Sequence, residues 1–135
     1  MQLTNVRVDS ARFTYVPMPI GEHFNNRAIS PAQESGAGRF NVWGNSFPAG
    51  QLPEPGSRVE VAGVPFDFPA VAAGGDNIRC DGQLIAPPRG RYDWLHLLAA
   101  AERRAEDGVA LHFTDGEVDF EALRVSDFWA ARMAS

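Results

Sequence analysis

Lysine is absent from this chain: all 12 basic residues among its 135 are arginine. Schiff-base chemistry and a lysine general base are thereby excluded. Cysteine is nearly absent too. The single Cys80 permits no intramolecular disulfide and cannot by itself build a thiolate zinc site; it reads as a small buried or half-buried thiol. Clustered positive charge is also missing. The longest basic run is Arg103-Arg104 in a chain of net charge -5, so nucleic acid is not an expected partner. No stretch approaches the roughly 20 apolar residues of a membrane span. The opening MQLTNVRVDS lacks the basic flank and apolar core that direct secretion. These absences lead to the expectation of a cytoplasmic protein with no membrane partner.

Motif-level absences narrow the chemistry. His23, His96 and His112 do not fall in an H-E-x-x-H pattern and none stands near Cys80, so no metal is expected. Ser30 and Ser46 lack the G-x-S-x-G setting of a nucleophile elbow. No phosphate-cradling G-x-x-x-x-G-K run occurs. Glu22, Asp67, Asp81, Glu102, Glu106 and Asp107 supply carboxylates, but their spacing pairs no two of them for glycosidase work. No cofactor is expected.

What is present is turn chemistry. Gly 13 and Pro 10, with 44% hydrophobic and 21% charged residues, describe a folded, turn-rich domain. Residues 56–85 are the clearest stretch. Val59 and Val61 lead into a tight Ala62-Gly63 turn, and Val64-Pro65-Phe66-Asp67-Phe68-Pro69 then alternates apolar and polar residues. That period of two, bounded by Gly and Pro, predicts antiparallel strands with one buried face. Residues 3–16 alternate well enough for one or two opening strands, with Phe13 and Tyr15 on one face; Pro17 and Pro19 end the ladder. Segment 21–38 is a polar surface loop, and 39–48 returns to strand character with a bend at Gly44. Residues 91–106 have helix formers in their second half. The alternation of Tyr92, Trp94, His96 and Leu98 nonetheless predicts a strand through about Leu98, buried on both faces, then a loop or short helical turn over Glu102–Asp107. Val109–Thr114, the Asp115-Gly116 turn and Val118–Val125 read as a hairpin. With no internal repeat and no linker, residues 1–135 are expected to form a single all-β domain. Its architecture is a two-sheet antiparallel β-sandwich, jelly-roll-like, of about eight short strands.

An ordered set of segments carries a resemblance. It runs from Phe24-Asn25-Asn26-Arg27-Ala28-Ile29-Ser30 through Gly38–Phe47 and Val59–Pro69. Asp76-Asn77-Ile78 with Gly82-Gln83, Leu95–Ala100 and Phe113-Thr114-Asp115-Gly116 complete it. Over about residues 20–120 this resembles a β-sandwich accessory module, carbohydrate-binding-like, of actinobacterial glycoside hydrolases and related secreted enzymes, here standing alone. The resemblance implies a sandwich that binds a sugar or similar ligand through its loops. Where those modules have aspartates, this chain has Arg27, Arg39 and Asn41. Where they have small glycines beside the bend, it has Val42 and Trp43. The acids on which a Ca²⁺ or sugar site would rest are thus replaced.

The candidate ligand-binding residues are Trp43 and the loop amides and acid Asn25, Asn26, Asn41, Asn45, Asp76 and Asn77. An indole beside a glycine bend suits a sugar ring or another flat ligand, and amides both donate and accept. The same amides equally close turns on their own backbone, and Trp43 equally covers a core. Trp94 reads as core and Trp129 as a packing anchor. The catalytic candidates are His96 and His23, since imidazole titrates near neutrality; His96 is equally a hydrogen-bonded core histidine, His23 equally a surface one, and His112 reads as an exposed strand residue. Two functions stay open. One is a non-catalytic module binding a carbohydrate or similar polyhydroxylated small molecule. The other is a small cofactor-independent cyclase, isomerase or lyase of bacterial secondary metabolism, in which positioning and one proton-transfer group suffice. A protein-docking module with an exposed apolar patch is a third, and an exposed edge strand is compatible with a homodimer.

Overall fold

The computed structural model of the protein describes residues 12–70 and 74–127. Its contacts divide the chain into two compact units, Met1–Asp93 and Trp94–Ser135. Strands are the only extended regular elements among the described residues, in three two-stranded sheets.

In the first unit, β1 (Ile29–Ser30) and β2 (Phe47–Pro48) pair in parallel. β3 (Arg58–Val61) and β4 (Val64–Asp67) form the antiparallel hairpin that the alternation predicts. Its turn places Ala62 at φ 52° and Gly63 at φ 85°. Two consecutive left-handed residues make the tight turn whose twist matches that of the flanking strands. Single 3-10 turns occupy Gly21–His23 and Ala49–Gln51. Among the described residues of this unit, the buried ones are Ala28, Ile29 and Val64, the polar Ser30, Asn41 and Asp76, and the glycines Gly38, Gly63 and Gly75. Polar groups thus organise the interior of this unit as much as apolar ones do.

In the second unit, β5 (Ala105–His112) and β6 (Val118–Val125) pair antiparallel over their full length, closed across Asp115-Gly116. Partners directly opposite share a face. Val109, Leu111, Leu123 and Val125 are half-buried on one face. The other carries Ala110, His112, Val118, Phe120 and Ala122, with Phe120 74% exposed.

Several expectations need correction. Residues 39–48 are mostly turn: only Phe47 and Pro48 join a ladder, because the Asn41 side chain folds the backbone back on itself. The β1–β2 pair is parallel, so the pairing is not wholly antiparallel. Residues 91–98 form no strand; Trp94 is 72% exposed rather than core, and Leu97 and Leu98 also face solvent. Alternation on both faces implies burial only where layers cover both sides. The helix-forming stretch after it is broken by Arg103, held in the left-handed region at φ 59°, and the strand then begins at Ala105, inside the expected loop. Cys80 is exposed, in an irregular segment rather than in a core. The described residues hold six strands. Of the expected opening strands, residues 3–11 lie outside the described residues and 13–16 form no ladder, although the Phe13 and Tyr15 rings are neighbours at 6.4 Å. Trp129 also lies outside the described residues.

Candidate functional site

The polar residues singled out by sequence assemble into two linked arrangements. In the first, the segments around Asn26 and Asn77 form a single antiparallel bridge. The Asn25 amide extends that bridge like a surrogate peptide group: its Nδ2 donates to the Arg79 carbonyl (3.1 Å) and its Oδ1 accepts from the Arg79 N–H (2.7 Å). Asp76, 3% exposed, turns its carboxylate onto the start of β1. Its Oδ1 accepts from the Ala28 N–H (2.9 Å) and its Oδ2 from the Ile29 N–H (3.0 Å). A buried charge receiving two backbone donors is satisfied by the fold itself. Gly75 makes this approach feasible: at φ 119° it is suited to glycine, and a Cβ there would lie 2.5 Å from the Asn26 carbonyl oxygen.

In the second, the loop after β1 is pinned to the same strip. The Arg39 N–H donates to the Arg27 carbonyl (2.6 Å), and the Gly38 N–H to Ser30 Oγ (2.9 Å). Ser30 Oγ and Ser46 Oγ are 2.7 Å apart. Asn41 then builds a closed turn: its Oδ1 accepts from the Asn45 N–H (3.0 Å), its carbonyl from the Gly44 N–H (3.0 Å), and the Asn45 carbonyl accepts from the Phe40 N–H (2.6 Å). Beneath it the Phe40 and Phe47 rings meet at 4.9 Å. At the tip stand Val42, 76% exposed, and Trp43, 62% exposed. Turns of this kind lose little entropy on binding, because side-chain and backbone bonds already order them.

The structure thus separates the candidates by what their polar atoms do. Asn25 and Asp76 spend theirs on backbone, whereas Asn41 spends its Oδ1 there and keeps its Nδ2 buried without a hydrogen-bond partner. Trp43 presents its indole outward. Asn45 is half-buried beside it, and Asn26 and Asn77 are half-buried at the bridge, with Asn77 Oδ1 buried and lacking a hydrogen-bond partner. Arg27 and Arg39, which stand where the accessory modules have aspartates, lie on adjacent backbone segments joined by their hydrogen bond.

The histidines stand elsewhere. His23 Nε2 lies 3.5 Å from Glu22 Oε1, its own neighbour in the chain. A shallow open groove of about 440 Å³ runs past Pro17, Met18, Pro19, Phe24, Asp67 and Phe68; its lining is mostly apolar, with the Asp67 carboxylate among it. His96 is half-buried in the irregular stretch after Trp94, and His112 is exposed on β5. Among the described residues, no three His, Cys, Asp or Glu side chains gather as a metal site. The hydrogen bond from Arg58 Nε to Asp67 (2.7 Å) holds that carboxyl below its ordinary range.

Compared with known proteins, residues 14–132 match the model of one family, the AziU2-like beta-sandwich domain. No curated protein matches the chain.

Proposed function

Taking as premise that the chain belongs to the AziU2-like beta-sandwich family, we propose that it is a non-catalytic binding module that takes a carbohydrate or similar polyhydroxylated small molecule at the Trp43 turn. The carrying observation is Trp43 itself, 62% exposed on a turn whose base, Asn41, is 7% exposed. A large aromatic held outward by an ordered loop is how a shallow face grips a ring, through stacking. The resemblance to carbohydrate-binding-like accessory modules supports the same reading. A jelly-roll arrangement of the sandwich is part of the same proposal: it would bring the loops to the ends of the sheets.

The loop amides take a smaller part in this reading than the sequence suggested. Asn25, Asn41 and Asp76 act as scaffold that orders the site, while Trp43 and Asn45 contact the ligand. Trp43→Ala is expected to weaken binding of a soluble oligosaccharide by about 1–3 kcal/mol with the fold intact, the range of an aromatic anchor. Isothermal titration against a small glycan panel, with circular dichroism as the folding control, measures it. Unchanged affinity in the variant removes Trp43 from the site.

A second reading is self-association through the exposed face of the β5–β6 hairpin. It is favoured by Phe120, 74% exposed in the middle of a face whose neighbours Ala110, Val118 and Ala122 are also apolar.

A further inference from the structure

The outer edges of the β5–β6 hairpin each carry a local bond that the ladder does not require. Pairs in an antiparallel ladder alternate between hydrogen-bonded and non-bonded. The Phe113 N–H donates to the Glu117 carbonyl (2.9 Å), which makes these two a bonded pair. In the register of the hairpin the next bonded pairs are Leu111–Asp119, Val109–Glu121 and Asp107–Leu123. The residues between them, Gly108 and Ala110 on β5 and Phe120 and Ala122 on β6, therefore turn their N–H groups outward. Among the described residues this sheet has two strands of eight residues each. Both of its edges are thus templates on which another strand could pair.

On each edge one of these outward N–H groups is already taken. Asp107 Oδ1 accepts from the Gly108 N–H (2.8 Å), and Asp119 Oδ1 from the Phe120 N–H (2.9 Å). Each aspartate covers the N–H of the residue that follows it, and all four residues are exposed. In the alternation of the ladder both aspartates share the face of Val109, Leu111, Leu123 and Val125. Asp107 lies toward the open end of the hairpin and Asp119 toward its turn, one per edge. Gly108 has no side chain to obstruct an approaching backbone, so β5 is most open at the position that is covered. A strand adding to either edge must displace a carboxylate from its donor and remove it from water.

We propose that Asp107 and Asp119 are edge guards, closing two surfaces on which a second copy of this chain would otherwise add its own hairpin. The second copy fits because the β6 edge is self-complementary about a two-fold axis. With Ala122 opposite its counterpart, Phe120 meets Arg124 of the second copy and Glu121 meets Leu123, so no like charges oppose each other. The proposal is independent of the Trp43 reading, and it concerns the edges of the hairpin rather than its Phe120 face.

The test is sedimentation velocity on the intact chain carrying Asp107→Ala, Asp119→Ala or both, with circular dichroism as the folding control. Each single variant frees one edge and should form a closed dimer about tenfold tighter than any self-association of wild type, the scale of one backbone hydrogen bond. The double variant frees both edges and should grow into longer chains. Amide exchange should slow at Ala122 in Asp119→Ala and at Ala110 in Asp107→Ala, which reports the edge that has paired. Asp119→Asn, whose side-chain carbonyl still accepts, should behave as wild type. Alanine variants that fold but associate no more than wild type overturn the proposal. So does association without edge-specific slowing of exchange, which would indicate another surface. Equal association of Asp119→Asn and Asp119→Ala overturns the capping bond as the guard and assigns the effect to charge. The two edges report separately, so loss of fold in one single variant leaves the other to decide.

Discussion

Replacing Asp76 with asparagine changes one oxygen to an amino group at a site that is 3% exposed. The wild-type carboxylate receives the Ala28 and Ile29 N–H groups at 2.9 and 3.0 Å. Asparagine can keep one of these bonds, through its carbonyl, but turns an N–H₂ donor toward the other. One charge-assisted bond is lost, at about 1.5–3 kcal/mol, and one backbone donor is left unsatisfied, at about 1–3 kcal/mol. The two costs overlap because they concern the same N–H, so about 3 kcal/mol is the expected loss. That is a large part of the roughly 5–15 kcal/mol that holds a domain folded. With a urea m-value of about 1.5–2 kcal/mol per M, the unfolding midpoint should fall by about 1.5–2 M. Urea titration followed by tryptophan fluorescence reads this directly, and an unchanged slope would show that only stability moved. A midpoint shift below about 0.3 M, equivalent to roughly 0.5 kcal/mol, would refute the argument that this carboxylate organises the start of β1.

Two further outcomes are expected. Asp67 is held below the ordinary carboxylate range by its hydrogen bond from Arg58, so its contribution is present above the unfolded pKa of about 4 and is lost as pH falls through the lower folded value. Asp67→Asn should therefore narrow the stability difference from wild type only below pH about 4 in acid titrations at low salt; a difference that vanishes near neutrality instead would point to another group. If two copies associate through the hairpin face, sedimentation velocity at high protein concentration should show a dimer that Phe120→Ser dissolves, whereas a wild-type monomer at every concentration rejects that reading.

The two hairpins were legible because their signals are local. Ala62-Gly63 and Asp115-Gly116 mark the turns, and a two-residue closure leaves β3–β4 one register, Val61 against Val64. The β1–β2 pair was not legible. Each strand spans two residues, too few for any period, and a parallel pair has no turn of its own to announce it. Trp94 misled because alternation records which residues could be covered on two faces, not whether a layer covers them. The strand at Ala105–Asp107 was missed because its acidic residues resemble a solvated loop, yet on an exposed strand they are compatible with pairing. Of the candidate site, the residue types were visible and their division of labour was not. Asp76 finds its partners 47 and 48 positions away, a separation at which composition and spacing carry no information about contact.

The segment between Ser30 and Gly38 has a practical consequence. Residues 32–36 are all exposed, while both ends are anchored, through Ser30 Oγ to the Gly38 N–H and through the Arg27 carbonyl to the Arg39 N–H. Extra residues placed at 35–36 would lengthen a loop whose closure cost grows by only about 0.6 kcal/mol per doubling. The anchors would keep such an insertion from displacing the Trp43 turn. A fluorophore-bearing peptide or an affinity tag grafted there would sit a few residues from the recognition surface without being part of it, giving the protein a built-in mount for reporting what binds.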